Sequence, residues 1–453
     1  MTQPSRALIR WLMSLRWGWM RALGLSWFMA VSAQAQMLMQ DGLVNPPALA
    51  CPELPAAGNQ APRQAKTSRE SSSRVEPNED AGSPVESVNL STVVPTLDLK
   101  SKKLWRLALW GDSHTAAGFL SEGLIQGLGL NPEDVQPSFL PASFGMAGVR
   151  LPVRRACVGP GWTRTHAYRA KTRTDYFPIS LTYAGTQQND SYVWLDFRTQ
   201  RHPHGLVSVD LVMAPPDSPH STSSVLAVSV NEAQEKIVVI DRATQPSLQF
   251  GSVNGVMTVK VRLISGDLIL AGMVPRYPSK PRLIVDTYGI PGATARGWEM
   301  LEPARLQARM LAEPYDVVML AFGTNEGNDP RYDPAKYTEG LRTALRNLRT
   351  AYPQAACVVI GPTDRGDPKR VSMASTGPGY YARVHRSITV AQRLVADEHK
   401  CQFWDWQFHM GGPGGAHQWA RQKPPLMAAD LIHLTLQGYR YSGQLLGKQL
   451  SVR

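Results

Sequence analysis

The sequence predicts an α/β fold: a parallel sheet flanked by helices, interrupted by an inserted antiparallel β-sandwich. Three observations carry that prediction. From Leu104, and again after residue 281, short apolar runs alternate with helical patterns, the rhythm of a parallel sheet covered on both faces. Between about Leu151 and Lys280 the texture changes to short stretches of alternating apolar and polar residues separated by turns, the rhythm of a sandwich. At 453 residues the chain is also long enough for more than one domain.

Taken in order, residues 1–35 read as an export signal. Arg6, Arg10, Arg16 and Arg21 lead, an apolar run follows from Ala22 to Val31, and Ala33-Gln34-Ala35 supplies a small-x-small cleavage pattern. An uncleaved anchor over Trp11 to Val31 is the alternative; the run is short for a membrane span. Residues 36–103, rich in Ser, Glu, Arg and Pro, bury too little apolar surface to offset chain entropy and are expected to be a flexible linker. Cys51 follows Ala48-Leu49-Ala50, a faint lipoprotein-like box too far from the apolar run, and is expected to be unlipidated.

Residues 104–150 then open the α/β part. Trp105 to Trp110 reads as a buried strand, and Leu120, Leu124 and Leu128 lie on one face of a following helix. Residues 151–281 form the insert, with strand patterns at Ser191–Leu195, Val207–Val212 and Val256–Val261. Residues 282–453 resume the α/β rhythm. Strands are predicted at Arg282–Asp286, Tyr315–Phe322, Cys357–Gly361 and Gln402–Trp406, with helices at about Ala293–Leu311, Tyr337–Ala351 and Tyr380–His399.

Composition narrows the class. Hydrophobic residues make up 43% and charged residues 19%, ordinary for a soluble globular protein. The net charge of +12 falls to +8 once the four leader arginines are removed. The remaining cations are scattered, which fits affinity for an anionic polymer or surface and argues against a sequence-specific nucleic-acid binder. Four cysteines permit disulfides without making a disulfide scaffold, and Cys357 with Cys401 is the expected pair if one forms, two buried thiols being the alternative. No set of His, Cys and carboxylates has metal-ligand spacing.

Four short segments carry chemistry. Gly111-Asp112-Ser113-His114 places a serine at a strand's carboxyl end, where α/β enzymes build sites; alone it reads as a capped helix start. Tyr288 to Thr294 contains Gly292, whose backbone can approach a ligand closely. Phe322-Gly323-Thr324-Asn325-Glu326 offers a side-chain amide that can donate to an oxyanion, or a capped turn. Asp430-Leu431-Ile432-His433 spaces a carboxylate to orient an imidazole, although Asp-x-x-His is common by itself.

In that order on strand ends of one sheet, Gly-Asp-Ser, the Gly of Gly-Ala-Thr, Gly-x-Asn and Asp-x-x-His resemble the four blocks of SGNH/GDSL hydrolases over about residues 104–146 and 282–447. The resemblance implies an SGNH-type parallel sheet with Ser113 as nucleophile, His433 as base and then acid, and Asp430 as its orienter. It also implies an oxyanion hole from the backbone N–H groups of Ser113 and Gly292 and the side chain of Asn325. The long separation of Ser113 from Gly292 and the Gly-Asp-Ser-His variant make the chain similar to periplasmic peptidoglycan O-acetylesterases, which carry a carbohydrate-binding-like β-domain there.

The resulting expectation is a periplasmic serine esterase that removes O-acetyl groups from a cell-wall glycan, with peptidoglycan foremost. It needs no cofactor and no metal, binds no nucleic acid, and has no stable membrane span once the signal is cleaved. An O-acetyltransferase using the same triad, and a non-catalytic glycan-binding protein, are the alternatives. His114, Trp162 and Trp194 are candidate substrate contacts, with a structural role behind the nucleophile as the equal alternative for His114. Tyr192 joins the two tryptophans as a sugar-stacking candidate, with sandwich-core roles as the competing reading for all three. The Met410–Gly415 run is expected to be a mobile loop bordering the site or a plain connection.

Overall fold

The computed structural model describes Cys51 and residues 97–100, 103–173, 177–199, 202–213, 223–242, 244–302, 314–367 and 379–451. The expected signal peptide and nearly all of the expected linker lie outside the described residues.

The run Trp105–Gly111 forms β1, whose last five residues are buried, as an apolar run between two helical layers requires. A single turn, Ser113–Ala116 (α1), and the helix Phe119–Gly127 (α2) follow it. Two short strands, Val135–Gln136 (β2) and Leu140–Pro141 (β3), lead into the insert. The insert's strands are Arg155–Val158 (β4), Thr163–His166 (β5), Thr182–Thr186 (β6), Tyr192–Asp196 (β7), Leu206–Met213 (β8), Ser223–Val230 (β9), Lys236–Asp241 (β10), Ser247–Val256 (β11), Thr258–Gly266 (β12) and Leu268–Arg276 (β13). The chain then returns through Leu283–Gly289 (β14), Arg296–Glu299 (α3), Val317–Ala321 (β15), Pro334–Ala351 (α4), Ala356–Ile360 (β16), Tyr380–Glu398 (α5) and Gln402–Trp404 (β17). It ends with Trp406–His409 (α6), Gly415–Arg421 (α7) and Leu436–Leu450 (α8).

The parallel sheet has the order β17-β16-β15-β1-β14-β2, so the first strand in sequence sits at its centre. One face packs under α4 and α5 around Trp110, Trp298, Leu345 and Leu348. The other packs under α2 and α8 around Leu109, Leu124, Met319 and Leu446. The α2–α8 contact is made backbone to backbone. A Cβ on Gly123 would lie 2.2 Å from the Arg440 carbonyl oxygen, and one on Gly443 2.2 Å from that of Leu120. Small residues at four-residue spacing on both helices permit this approach.

The insert closes two antiparallel sheets, β10-β9-β12-β7-β4 and β11-β8-β13-β6-β5, on a shared core. Val193, Leu226 and Val261 from the first sheet meet Leu211, Leu270 and Met273 from the second. This is the α/β fold with inserted sandwich that the texture of the sequence predicts.

Some elements differ in detail. The pattern over Val256–Val261 is not one strand: β11 ends at Val256 and β12 begins at Thr258, with Gly255 at φ +81° just before the reversal. β3 pairs with β13 of the sandwich although it precedes residue 151. The last strand stops at Trp404 because the Asp405 carboxylate accepts the Phe408 N–H at 2.8 Å and starts α6. Of the helix expected over Ala293–Leu311, the described part is α3, and residues 303–313 lie outside the described residues. Cys357 and Cys401 are bridged as expected. Cys51 is bridged to Cys157 on β4, a pairing the spacing did not indicate, and its sulfur is therefore committed to a disulfide. No described helix is long and apolar enough to cross a membrane.

Candidate active site

Ser113 begins α1 directly after the central strand, and Asp112 caps that turn by accepting the His114 N–H at 2.9 Å. At the opposite end of the chain, Asp430 folds its own loop. One carboxylate oxygen accepts the N–H groups of Ile432 and His433 at 3.0 and 2.9 Å, and Leu431 takes φ +56° to allow the turn. The other carboxylate oxygen lies 2.7 Å from His433 Nδ1. A carboxylate can only accept, so Nδ1 donates and Nε2 is left as acceptor for Ser113 Oγ, 3.0 Å away. Burial pushes the Asp430 carboxyl up, but the bonds from His433 and the two backbone N–H groups outweigh it and hold its pKa below the usual range. Thr435 then caps α8 by accepting the Gly438 N–H at 3.1 Å, so the triad loop runs straight into the helix locked against α2. The expected Ser113, His433 and Asp430 are thus brought into one hydrogen-bonded line across 320 residues of sequence.

Gly292 has φ +81°, a conformation that sets the direction of its peptide N–H and strains any other residue. Asn325 Nδ2 donates to the Ala293 carbonyl at 2.8 Å, tying the third block to the second, and lies 3.5 Å from Asp112 Oδ2. The loops that carry the expected hole donors therefore converge beside Ser113's own turn.

Two acids that sequence reasoning passed over lie under these loops. Asp112 is buried, and burial foremost, with Glu326's charge adding to it, raises its pKa to about 8. Glu326 accepts the N–H groups of Ala295 and Gly323 at 2.9 and 3.0 Å, and burial raises its pKa to about 7. Their positions next to Ser113 and Asn325 were visible, but burial is a tertiary property that spacing does not reveal. A neutral Asp112 keeps a negative charge away from the place where an oxyanion would form. Both shifts are upward, so the stability they contribute is complete below the ordinary carboxylate pKa near 4. It is lost as pH rises through about 7 to 8. Thermal melts are expected to fall across that window, and to fall less in Asp112→Asn, whose amide oxygen keeps the cap on His114; an unchanged slope in the variant would contradict the assignment.

Burial corrects two of the expected substrate contacts, His114 and Trp194. His114 is only 4% exposed, and its ring lies 5.4 Å from that of His433 and near Trp406, with Nδ1 3.1 Å from the Tyr439 hydroxyl. Burial, then the neighbouring His433, lower its pKa to about 3, so it is a neutral ring backing the triad rather than a group facing substrate. Trp194 is 1% exposed, donates to Glu232 at 2.8 Å and packs with Tyr192 and Cys157. Trp162 donates to the Tyr192 carbonyl at 3.0 Å and sits edge-on against Phe144 in the sandwich core. Core packing claims Trp194 and Tyr192, while Trp162 is half-buried, one edge of its ring against Phe144. The Met410–Gly415 run is a fastened connection, since the buried Asp364 carboxylate accepts the N–H groups of Gly414 and Ala416. Among the described residues no group of three or more His, Cys, Asp or Glu could hold a metal ion.

Residues 267–441 match the GDSL-like Lipase/Acylhydrolase family, a span that contains Gly292, Asn325, Asp430 and His433 but not Ser113, which the insert separates from it. A solved peptidoglycan O-acetylesterase shares the fold, with TM-score 0.56 and 21% identity over 78% of this chain and 92% of that one. A carbohydrate esterase family 2 enzyme plus carbohydrate binding domain from Corynascus thermopiles (Myceliophthora fergusii) aligns with TM-score 0.27 and 12% identity over 64% of this chain and 98% of that one. A lipase/acylhydrolase from Enterococcus faecalis gives TM-score 0.27 and 21% identity over 37% and 75%. No curated protein matches the chain in sequence.

Proposed function

We propose that this chain, a serine hydrolase carrying a GDSL-like lipase/acylhydrolase domain, is an exported esterase that removes O-acetyl groups from peptidoglycan. The observation that carries the reading is the unbroken line from Ser113 Oγ to His433 Nε2 and from His433 Nδ1 to Asp430. In it, His433 takes the Ser113 proton as Oγ attacks the acetyl carbonyl. The oxyanion is met by the N–H groups of Ser113 and Gly292 and by the Asn325 amide. His433 then gives its proton to the sugar oxygen as the bond from the acetyl carbon to that oxygen breaks, releasing the sugar hydroxyl and leaving acetyl-Ser113. Water, deprotonated by His433, attacks this ester through the same hole, and acetate leaves as Ser113 regains its proton.

Supporting the polymer assignment are the likeness in fold to a peptidoglycan O-acetylesterase and the net charge of +8 left once the four leader arginines are removed from the +12 of the full sequence, which favours an anionic wall polymer. Supporting export are the two disulfides, which persist in an oxidising compartment such as the periplasm. The test is acetate release from O-acetylated peptidoglycan and from acetylated xylan, each with and without chito-oligosaccharide. Faster release from peptidoglycan, as free acetate, is expected. Acetyl recovered mainly on the added sugar would make the protein a transferase, and preference for xylan would overturn the polymer.

A further inference from the structure

We propose that Glu326 is a positioning residue for the oxyanion hole: a carboxylate strut that holds the Gly292 loop and the Asn325 loop in register. The proposal rests on the reading of Gly292 and Asn325 as hole donors and adds what aligns them.

The two donors belong to different crossovers. Gly292 follows β14, and Asn325 follows β15; these strands are not neighbours, because β1 lies between them. No ladder hydrogen bond therefore fixes one loop against the other, and two donors that must meet one oxygen need another device. Glu326 supplies it. Its Oε1 accepts the Ala295 N–H at 2.9 Å, three residues beyond Gly292, and its Oε2 accepts the Gly323 N–H at 3.0 Å, two residues before Asn325. Each oxygen of one side chain thus holds one loop. The Asn325 amide donating to the Ala293 carbonyl at 2.8 Å is the second tie between the same loops. With the strut in place, the Asn325 amide is aimed by a closed ring of contacts rather than by its own rotamer.

The surroundings leave Glu326 little other purpose. Among the described residues it pairs with no cation, its carboxyl is buried, and burial raises its pKa to about 7. A buried acid is costly unless its oxygens are hydrogen-bonded, and both oxygens of this one are taken by those two N–H groups. Its two bonds go to backbone N–H groups of the two hole loops and nowhere to the triad, since Ser113, His433 and Asp430 have their own partners. A group of this kind affects where donors point, hence the transition state, and leaves ground-state binding nearly untouched.

The experiment compares wild type with Glu326→Gln, Glu326→Asp and Glu326→Ala on 4-nitrophenyl acetate, with thermal melts for every variant. In glutamine one terminal oxygen is replaced by NH2, so one loop's N–H faces a donor; in aspartate the carboxylate is one methylene too short to span both. Expected is a fall in kcat of about 30-fold for Glu326→Gln and more for Glu326→Ala, with KM within about twofold. Inactivation of Ser113 by a neutral organophosphonate, whose phosphoryl oxygen needs the same hole, should slow in parallel with kcat. Equal kcat in Glu326→Gln and wild type would overturn the strut. So would a loss carried by KM, or phosphonate inactivation at the wild-type rate in variants that melt normally. Variants that fail to fold would be replaced by the Glu326→Gln result alone, which keeps the size and one acceptor. Failure of the serine-esterase reading itself appears separately, as Ser113→Ala retaining activity.

Discussion

Ser113→Ala is expected to lower kcat for ester hydrolysis about a millionfold, and adding His433→Ala to it is expected to cost almost nothing further. The reason is that the two side chains act as one device. Ser113 Oγ is a useful nucleophile only while His433 Nε2, 3.0 Å away, takes its proton. His433 has that role only while Asp430, 2.7 Å from Nδ1, fixes its tautomer. Once the hydroxyl is gone, base and orienter have nothing to activate, so their removal should not compound the loss. What remains is catalysis by the hole and by binding, which is why the floor should lie above the uncatalysed rate. Steady-state rates on 4-nitrophenyl acetate for both single variants and the double variant measure this. Losses that multiply would mean that Ser113 and His433 serve separate steps.

Asn325→Ala should produce the second largest effect, about a hundredfold to a thousandfold in kcat with little change in KM. The Asn325 amide is a donor held by the Ala293 carbonyl at 2.8 Å, so truncation removes a hole group and slackens the Gly292 loop at once. Asn325→Asp should be worse than alanine above neutral pH. It places a carboxylate where negative charge develops, and 3.5 Å from the amide nitrogen's position stands Asp112, itself a buried acid. An aspartate variant faster than the alanine variant would remove Asn325 from the hole.

The parallel sheet was legible because its strands are unbroken apolar runs. Trp105 to Trp110, Tyr315 to Phe322 and Cys357 to Gly361 each correspond to an observed strand within two residues. The triad was legible because its members sit in short motifs at strand ends, and Asp430 reaches His433 within one turn of chain. Roles that depend on burial were not. Nothing local marks Asp112 as an acid kept neutral, and His114 becomes a backing ring only because Tyr439 of α8 and Trp406 cover it. Trp194 misleads for the same reason, since an aromatic in an alternating strand looks alike whether it faces water or the core. One signal was overlooked. Gly123 and Gly127, with Gly443 and Gly447, announce two helices packed backbone to backbone, and so a C-terminal helix that anchors the triad loop.

The place of β1 in the sheet sets the order in which the molecule can assemble. Leu107 pairs with Val285 on one side and Val317 on the other, so the strand that presents the nucleophile has no partner until most of the chain has been made. The sandwich strands lie within residues 155–276 and can complete their ladders from contiguous chain in the meantime. Closing the central sheet therefore spans a long loop that is shortened only if the sandwich folds first and brings its two ends together. His433 arrives last, with α8 behind it. A form clipped before α8 is therefore expected to keep Ser113 at the end of β1 while losing the helix that anchors His433, and so to be inert towards esters.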